Sequence, residues 1–211
     1  MNSGTLRLLR TISLMTVYGY CLYLMVAITL QYIPIKTDVA FLAIKQDYVH
    51  MTHYRIAFFI HVFVSILALL AGFTQFSKGL RRKYPALHRK AGWLYAGVII
   101  LLAGPSGLVI GIYANGGWPS RLAFCMLAVL WVVFTLFAII TARKRDMVAH
   151  RRWMIRSFAL TLSAITLRAW KYFIVAAFHP RPMDVYQVVA WLGWVLNLIV
   201  AEIIILKTKS S

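Results

Sequence analysis

The residues of this chain best suited to chemistry are histidines and arginines that lie within or at the ends of long apolar runs. Ionisable side chains in such runs are costly and indicate a functional site. His88 and His150 each stand at the edge of a run, beside basic residues, and we expect them at one depth on two different helices. Two histidines placed this way could share one ligand, or both could bind lipid phosphates.

A polar stripe follows His150 along the fifth apolar run. On a straight helix, Ser157, Thr161 and Arg168 lie within about 20° of His150, and the stripe is about 27 Å long. A packing seam of small residues would explain Ser157 and Thr161. It would not explain the guanidinium of Arg168, so the pattern favours a face turned towards a cofactor or a cavity.

A second polar site is expected nearer the outer surface. His61 lies within the second run and begins a stripe of its own, with Tyr54 two turns earlier. Together with Arg168, these residues could line an outer polar site. The alternative is that His61 only donates a hydrogen bond to a neighbouring helix.

One acid lies well inside an apolar run. Glu202 is about one turn from the inner end of the last run, level with Arg156. Either charge alone would be penalised in the membrane, so we predict an ion pair between them. Structural pairing is favoured over proton transfer for this pair.

The elements that must position these residues are membrane-spanning helices. The chain has 211 residues, 62% of them hydrophobic, and a mean hydropathy of +0.76. Its apolar runs are long enough to cross about 30 Å of hydrocarbon as helices. The predicted spans are 12–33, 56–76, 91–114, 120–142, 153–178 and 185–206. We therefore predict an all-α integral membrane protein, one domain over residues 1–211, whose six-helix bundle has an interior polar site between spans 2, 3 and 5.

Orientation follows from the basic residues. Of the 23 Lys and Arg, fifteen fall in the termini and the connections that share their side of the membrane, and five on the other side. The positive-inside rule then places both termini in the cytoplasm. The net charge of +18 also indicates contact with anionic lipids at that face. No nucleic-acid-binding motif accompanies the charge, so nucleic acid is not an expected partner.

Several segments resemble one known family. They are Leu87-His88-Arg89-Lys90-Ala91-Gly92, the stretch 150–157, His61, Arg168 and the stretch 197–202. They resemble a large bacterial family of predicted membrane proteins, the domain of unknown function 2306. The resemblance covers about residues 55–206 and implies a multi-pass protein of the bacterial inner membrane. The family brings no settled activity.

The layout is also loosely similar to the b561-type membrane cytochromes, which hold haem iron between histidines on facing helices. This similarity implies a b-type haem with His88 and His150 as axial ligands of its iron. Arg89, Arg151 and Arg152 would pair with its propionates. The fourth span has no histidine, which excludes a simple copy of a two-haem cytochrome.

The leading hypothesis is therefore a membrane redox protein, with the outer site of His61 and Arg168 taking a quinone or a reducible metal substrate. One alternative is a transporter or small-molecule pathway along the stripe from His150 to Arg168. Another is a non-catalytic membrane scaffold. The sequence leaves open whether the protein is an enzyme.

Overall fold

The computed structural model describes residues 3–208, apart from the side chains of Ser3 and Arg7. This part of the chain is helical and contains no β-strand. By its internal contacts the chain divides into two compact units, Met1–Gln46 and Asp47–Ser211, which are described in turn. The prediction of a single domain stays a prediction.

The helices are α1 Ser3–Leu30, α2 Gln46–Val49, α3 Thr52–Gln75, α4 Lys78–Lys83, α5 Pro85–Gly97, α6 Gly104–Ile112, α7 Gly117–Arg143, α8 Met147–Thr161, α9 Ser163–Phe178 and α10 Pro182–Lys207. A 3-10 helix covers Ala40–Ile44, and a π-helical segment, Val98–Ala103, joins α5 to α6.

Five helices in the described residues are long and apolar enough to cross a membrane: Gly4–Leu30, Thr52–Gln75, Pro85–Ile112, Gly117–Arg143 and Pro182–Lys207. The pair α8 and α9 makes a sixth if it is one span. The all-helical, multi-pass class predicted from the sequence is thereby confirmed. The count of six and the orientation of the termini stay predictions.

The helices begin earlier than the predicted spans. The fifth starts at Met147 rather than at residue 153, because Asp146 Oδ1 accepts the Ala149 N–H at 2.9 Å and caps a polar first turn. The third starts at Pro85 rather than at residue 91, with proline in the first turn, where it needs no N–H partner. The predicted spans were drawn at the edges of apolar runs, and the helices continue beyond those edges into polar residues. His88 and His150 are therefore helical residues.

The first unit is built around α1, whose apolar side chains are largely exposed. In the segment after α1, the Phe41 N–H donates to the Tyr32 hydroxyl at 3.2 Å. Gln46 Nε2 donates to the Thr37 carbonyl at 2.7 Å. These bonds hold a compact segment built on the 3-10 helix.

The second unit packs its helices around a core of buried residues that includes Tyr95, Trp131, Leu160 and Trp194. Helix α7 packs along α6 and α8, α3 packs along α5, and α9 packs along α10. Arg143, at the end of α7, lies 5.6 Å above the ring of Trp93 on α5. The basic connections 77–90 and 143–152 therefore lie at the same end of this unit, which we call the basic end.

The fifth span is not straight. Helices α8 and α9 meet at Leu162 with a bend of 41°. The stripe from His150 to Arg168 was projected on one straight helix, and that projection was wrong because the helix breaks between Thr161 and Ser163. Only His150, Ser157 and Thr161, which all lie on α8, keep the predicted alignment.

Helix α10 supplies hydrogen-bond partners for polar groups near the break in the fifth span. Asn197 Nδ2 donates to the Ala159 carbonyl at 3.0 Å, and to Thr166 Oγ1 at the same distance. Thr166 Oγ1 in turn donates to the Gly193 carbonyl at 2.5 Å. Backbone groups freed inside a membrane need such partners, so the bend depends on a side chain from another helix.

Candidate functional site

His150 lies in the first turn of α8 at the basic end. Its Nδ1 is 2.8 Å from the carbonyl oxygen of Ala138 on α7. A carbonyl only accepts, so Nδ1 carries the proton and the lone pair of the neutral ring is on Nε2. The same backbone contact orients metal-bound histidines in many proteins.

His88 lies in the first turns of α5 at the same end. Its Nδ1 is buried and has no hydrogen-bond partner among the described residues. Gln75 Nε2 donates to its carbonyl at 3.3 Å, which ties the end of α3 to this turn. His150, Arg81 and Arg89 are close enough to act on the His88 ring electrostatically. The two histidines that the sequence singled out therefore lie at the same end of the unit, one on α5 and one on α8, and that they share a ligand stays a prediction.

The three arginines expected beside them differ in exposure. Arg89 and Arg151 are exposed, and Arg152 is half-buried. All three belong to the first turns of α5 and α8. A negatively charged group bound at the basic end would therefore lie near guanidinium groups from both α5 and α8.

A buried hydrogen-bond network lies deeper in the unit and joins α5, α7 and α8. The Tyr95 hydroxyl is 2.8 Å from both Ser157 Oγ and Thr161 Oγ1. Thr135 Oγ1 is 2.7 Å from Ser157 Oγ, and Trp131 Nε1 donates to Thr161 Oγ1 at 2.9 Å. The two stripe hydroxyls of α8 are therefore used in bonds between helices.

This network has more contacts than protons. Thr135 Oγ1 also approaches the Trp131 carbonyl at 2.7 Å, and Thr161 Oγ1 approaches the Ser157 carbonyl at 3.1 Å. The hydroxyls of Tyr95, Ser157, Thr161 and Thr135 have one proton each, so four protons serve five contacts. The Tyr95 proton can point to only one of its two neighbours at a time, which allows alternative hydrogen-bond arrangements.

His61 lies nearer the opposite end, on α3. Its Nδ1 is 2.9 Å from the carbonyl oxygen of Ala103, the last residue of the π-helical segment. A Cβ atom at Gly107 would lie 3.0 Å from the His61 ring, so glycine allows this close approach. Pro105 has no N–H to offer the preceding turn, which explains why the helix is irregular there.

Arg168 is on α9, beyond the bend. Its Nη1 donates to the Ala164 carbonyl at 2.6 Å. The guanidinium is near enough to act electrostatically on His61 and on Tyr186 of α10. That these residues form one outer polar site stays a prediction.

Tyr54 belongs to an aromatic cluster at the same end. Its ring centroid is 5.5 Å from that of Tyr113 and 6.1 Å from that of Tyr48. It stacks on Phe58 at 6.3 Å. His53 Nε2 lies 2.7 Å from the Tyr113 hydroxyl and joins this cluster at its exposed side.

Arg156 and Glu202 form a two-pronged ion pair between α8 and α10. Arg156 Nε lies 2.5 Å from Oε1, and Nη2 lies 2.8 Å from Oε2. Their side chains are 22% and 46% exposed, so the pair sits at the edge of the bundle. The guanidinium also lies 4.7 Å above the ring of Trp153. This contact between helices is the geometry expected of a structural pair.

Sequence reasoning missed the acceptors that orient the two histidines. The carbonyls of Ala138 and Ala103 are backbone groups, and no side-chain pattern marks them. It also missed the roles of Trp131 and Thr135, whose spacing of four residues on one helix face was a usable signal. Within residues 3–208 there is no group of three or more His, Cys, Asp or Glu that could hold a metal ion.

Comparison with known protein families gives a match over residues 58–205 to the family described as "Predicted membrane protein (DUF2306)". The matched region contains His61, His88, His150, Arg168 and Glu202. No curated protein and no solved structure matches the chain. The loose likeness to b561-type cytochromes therefore stays a resemblance of layout.

Proposed function

The chain belongs to the DUF2306 family of predicted membrane proteins, and we propose that it is an electron-transfer protein that holds one b-type haem between His88 and His150. The observation that carries the proposal is the bond from His150 Nδ1 to the Ala138 carbonyl. It orients the ring and keeps the Nε2 lone pair for an iron ion. His88, with its buried nitrogen unpartnered, lies at the same end.

The helix faces support a shared ligand. Tyr95 follows His88 by seven residues, and Ser157 follows His150 by seven, so each pair shares a helix face to within about 20°. The Tyr95 and Ser157 oxygens are 2.8 Å apart. Two turns closer to the basic end on the same faces, the histidines would then be turned towards a common space, where His88 and His150 could hold a haem from two sides.

A bound haem would supply reversible one-electron chemistry of iron. The chain's own groups have separate tasks. The Ala138 carbonyl holds the proton on His150 Nδ1. Arg89, Arg151 and Arg152 can pair with carboxylates at the mouth of the site. The buried network around Tyr95 joins α5, α7 and α8 deeper in the unit and would fix the two histidine-bearing helices relative to each other.

Absorption spectra of the purified protein test this proposal. Protein from haem-supplemented cells should show a Soret band, and dithionite should sharpen its α-band. His88→Ala and His150→Ala should each abolish the spectrum, whereas His53→Ala, a change at the opposite end, should leave it intact. Size-exclusion chromatography checks that each variant folds.

A second measurement needs no variant. Electron paramagnetic resonance of the oxidised protein should give the low-spin ferric signals of two imidazole ligands. A colourless preparation would overturn the proposal, and so would a purely high-spin signal.

The proposal also includes the membrane in which the protein lies, its orientation there and its redox partners. We place the protein in the bacterial inner membrane with both termini in the cytoplasm, because the basic end then faces the cytoplasm. The region of His61 and Arg168 would then lie near the outer face, where a quinone or a reducible metal substrate could meet the electron path. Cysteine labelling of Ser77→Cys from each side of the membrane tests the orientation.

A small-molecule pathway is the second candidate, and the bend at Leu162 favours it. Discontinuous helices mark substrate sites in many transporters. Arg168 on the far half of the broken span would then face the transported molecule. Flux into proteoliposomes should be lost in Arg168→Ala while the protein stays folded, and unchanged flux would remove this candidate.

A further inference from the structure

The basic end carries an unusual density of positive charge. Six cations lie between Ser77 and Gly92, and five lie between residues 143 and 152. They are Lys78, Arg81, Arg82, Lys83, Arg89 and Lys90, followed by Arg143, Lys144, Arg145, Arg151 and Arg152. We call these two groups the basic collar.

The acids near the collar do not neutralise it. Asp146 Oδ1 accepts the Ala149 N–H and caps α8. Glu202 is held by Arg156, outside the collar. None of the eleven collar residues has an ion pair in the part of the chain that the structure describes. Ten of the eleven collar residues are exposed and Arg152 is half-buried, so most of this charge lies at the surface without a carboxylate partner in the described residues.

Exposed apolar side chains are interleaved with these cations. Tyr84 and Leu87 are each 52% exposed, and Trp93 is 57% exposed. Lys83 Nζ lies 5.5 Å above the ring of Tyr84, and Arg143 lies in the same way above Trp93. Cations beside exposed aromatic rings suit the boundary between lipid headgroups and acyl chains.

From this arrangement we propose that the basic collar is a binding surface for anionic phospholipids, selecting them over zwitterionic lipids around this end of the protein. The partner is a lipid rather than a soluble acidic protein because the aromatic and aliphatic side chains at the same level need an apolar environment. Lys and Arg next to an anionic surface are each attracted to it, and several act together. The inference goes beyond the proposed electron transfer and does not depend on it.

The short helix α4 is the part of the collar best placed to act on lipid alone. Four of its six residues are cationic, and Ser77 Oγ caps it by accepting the Leu80 N–H at 3.1 Å. Arg82 and Lys83 are exposed. Neither is assigned to the haem site or is among the charged groups that act on the His88 ring, so both can be changed without touching that site.

The test measures which lipids lie next to Trp93 by the quenching of its fluorescence. The protein is reconstituted in bilayers of phosphatidylcholine with a minor fraction of phosphatidylglycerol, and bromine is placed on the acyl chains of one lipid or the other. The quenching of Trp93 is obtained by subtracting the signal of a Trp93→Phe protein. In the wild type, brominated phosphatidylglycerol should quench Trp93 several times more than its bulk fraction predicts, and high salt should weaken the effect.

Matched variants locate the cause. Arg82→Gln with Lys83→Gln should lower the preference by up to about fivefold, the factor that one cation near an anionic surface supplies. Arg55→Gln with Arg121→Gln removes the same charge from exposed positions of the opposite end and should leave the preference unchanged. Circular dichroism and size exclusion check that both double variants are folded.

Three outcomes overturn the inference. Quenching of the wild type in proportion to bulk composition would show no selection. An equal loss in both double variants would show an effect of net charge alone. Absence of lipid selection together with tight binding of polyuridylate would assign the collar to nucleic acid instead. The haem spectrum of the Arg82/Lys83 variant should be unchanged, which separates this result from the fate of the electron-transfer proposal.

Discussion

At Gly193 the backbone of α10 lies close to Leu167 of α9, and replacing this glycine with alanine should loosen the contact that supports the bend at Leu162. A Cβ atom there would lie 2.8 Å from Leu167 Cβ, 3.1 Å from its Cα and 3.3 Å from its backbone nitrogen. Two of these three atoms belong to backbone, so a rotamer change cannot relieve the overlap. The helices must separate by a few tenths of an ångström, which also lengthens the bond from Thr166 to the Gly193 carbonyl.

The size of the effect follows from two opposing contributions. Overpacking costs about 1–3 kcal/mol, and exchanging glycine for alanine inside a helix gains about 1 kcal/mol. Gly97→Ala is the matched control, because a Cβ at Gly97 meets nothing within 4 Å. Gly97→Ala should therefore keep or raise stability, and Gly193→Ala should fall below it by about 1–3 kcal/mol, the packing contribution alone.

Reversible unfolding in mixed detergent micelles, followed by tryptophan fluorescence, measures both free energies of unfolding. The wild type, Gly97→Ala and Gly193→Ala proteins are compared under one set of conditions. If Gly193→Ala is as stable as Gly97→Ala, then α9 and α10 do not pack as closely as the structure has them, and the account of the bend fails.

Two further changes test the buried polar contacts. Tyr95→Phe should lower the free energy of unfolding by about 1 kcal/mol, the usual contribution of a hydrogen bond between membrane helices. The control is Tyr172→Phe at an exposed position, which should leave the free energy of unfolding unchanged in the same denaturation assay. Equal effects of the two changes would show that the network does not stabilise the fold. Arg156→Met leaves Glu202 without its partner and should cost about 1–2 kcal/mol, less than a fully buried pair because Glu202 is 46% exposed. Arg156→Met combined with Glu202→Gln should recover part of that loss, and a double variant less stable than the single one would refute the pairing.

Much of the fold was predictable because it follows from local properties of the sequence. Long apolar runs require helices in a bilayer, and this established the class and the approximate spans. Depth along a helix is a matter of counting residues, so Arg156 and Glu202 could be placed level with each other. The pattern of residues also pointed to the family that the comparison confirmed over residues 58–205.

The direction of side chains was predictable only while a helix stayed regular. The register of His150 and Ser157 holds because both lie on α8, and their alignment with Arg168 fails because α9 turns away by 41°. That bend depends on Asn197, which donates to the Ala159 carbonyl from another helix. A one-dimensional pattern has no information about such a donor.

For the histidines, too, the sequence predicted the depth in the membrane, and the tertiary structure decided the orientation of the rings. From the sequence alone, His61, His88 and His150 were costly polar residues at definite depths in the membrane. Their ring orientations depend on backbone carbonyls, at Ala138 for His150 and at Ala103 for His61. Every residue has such a carbonyl, so no residue type identifies the one that accepts. Only helix packing and the π-helical segment decide it, because they bring one particular acceptor to each ring.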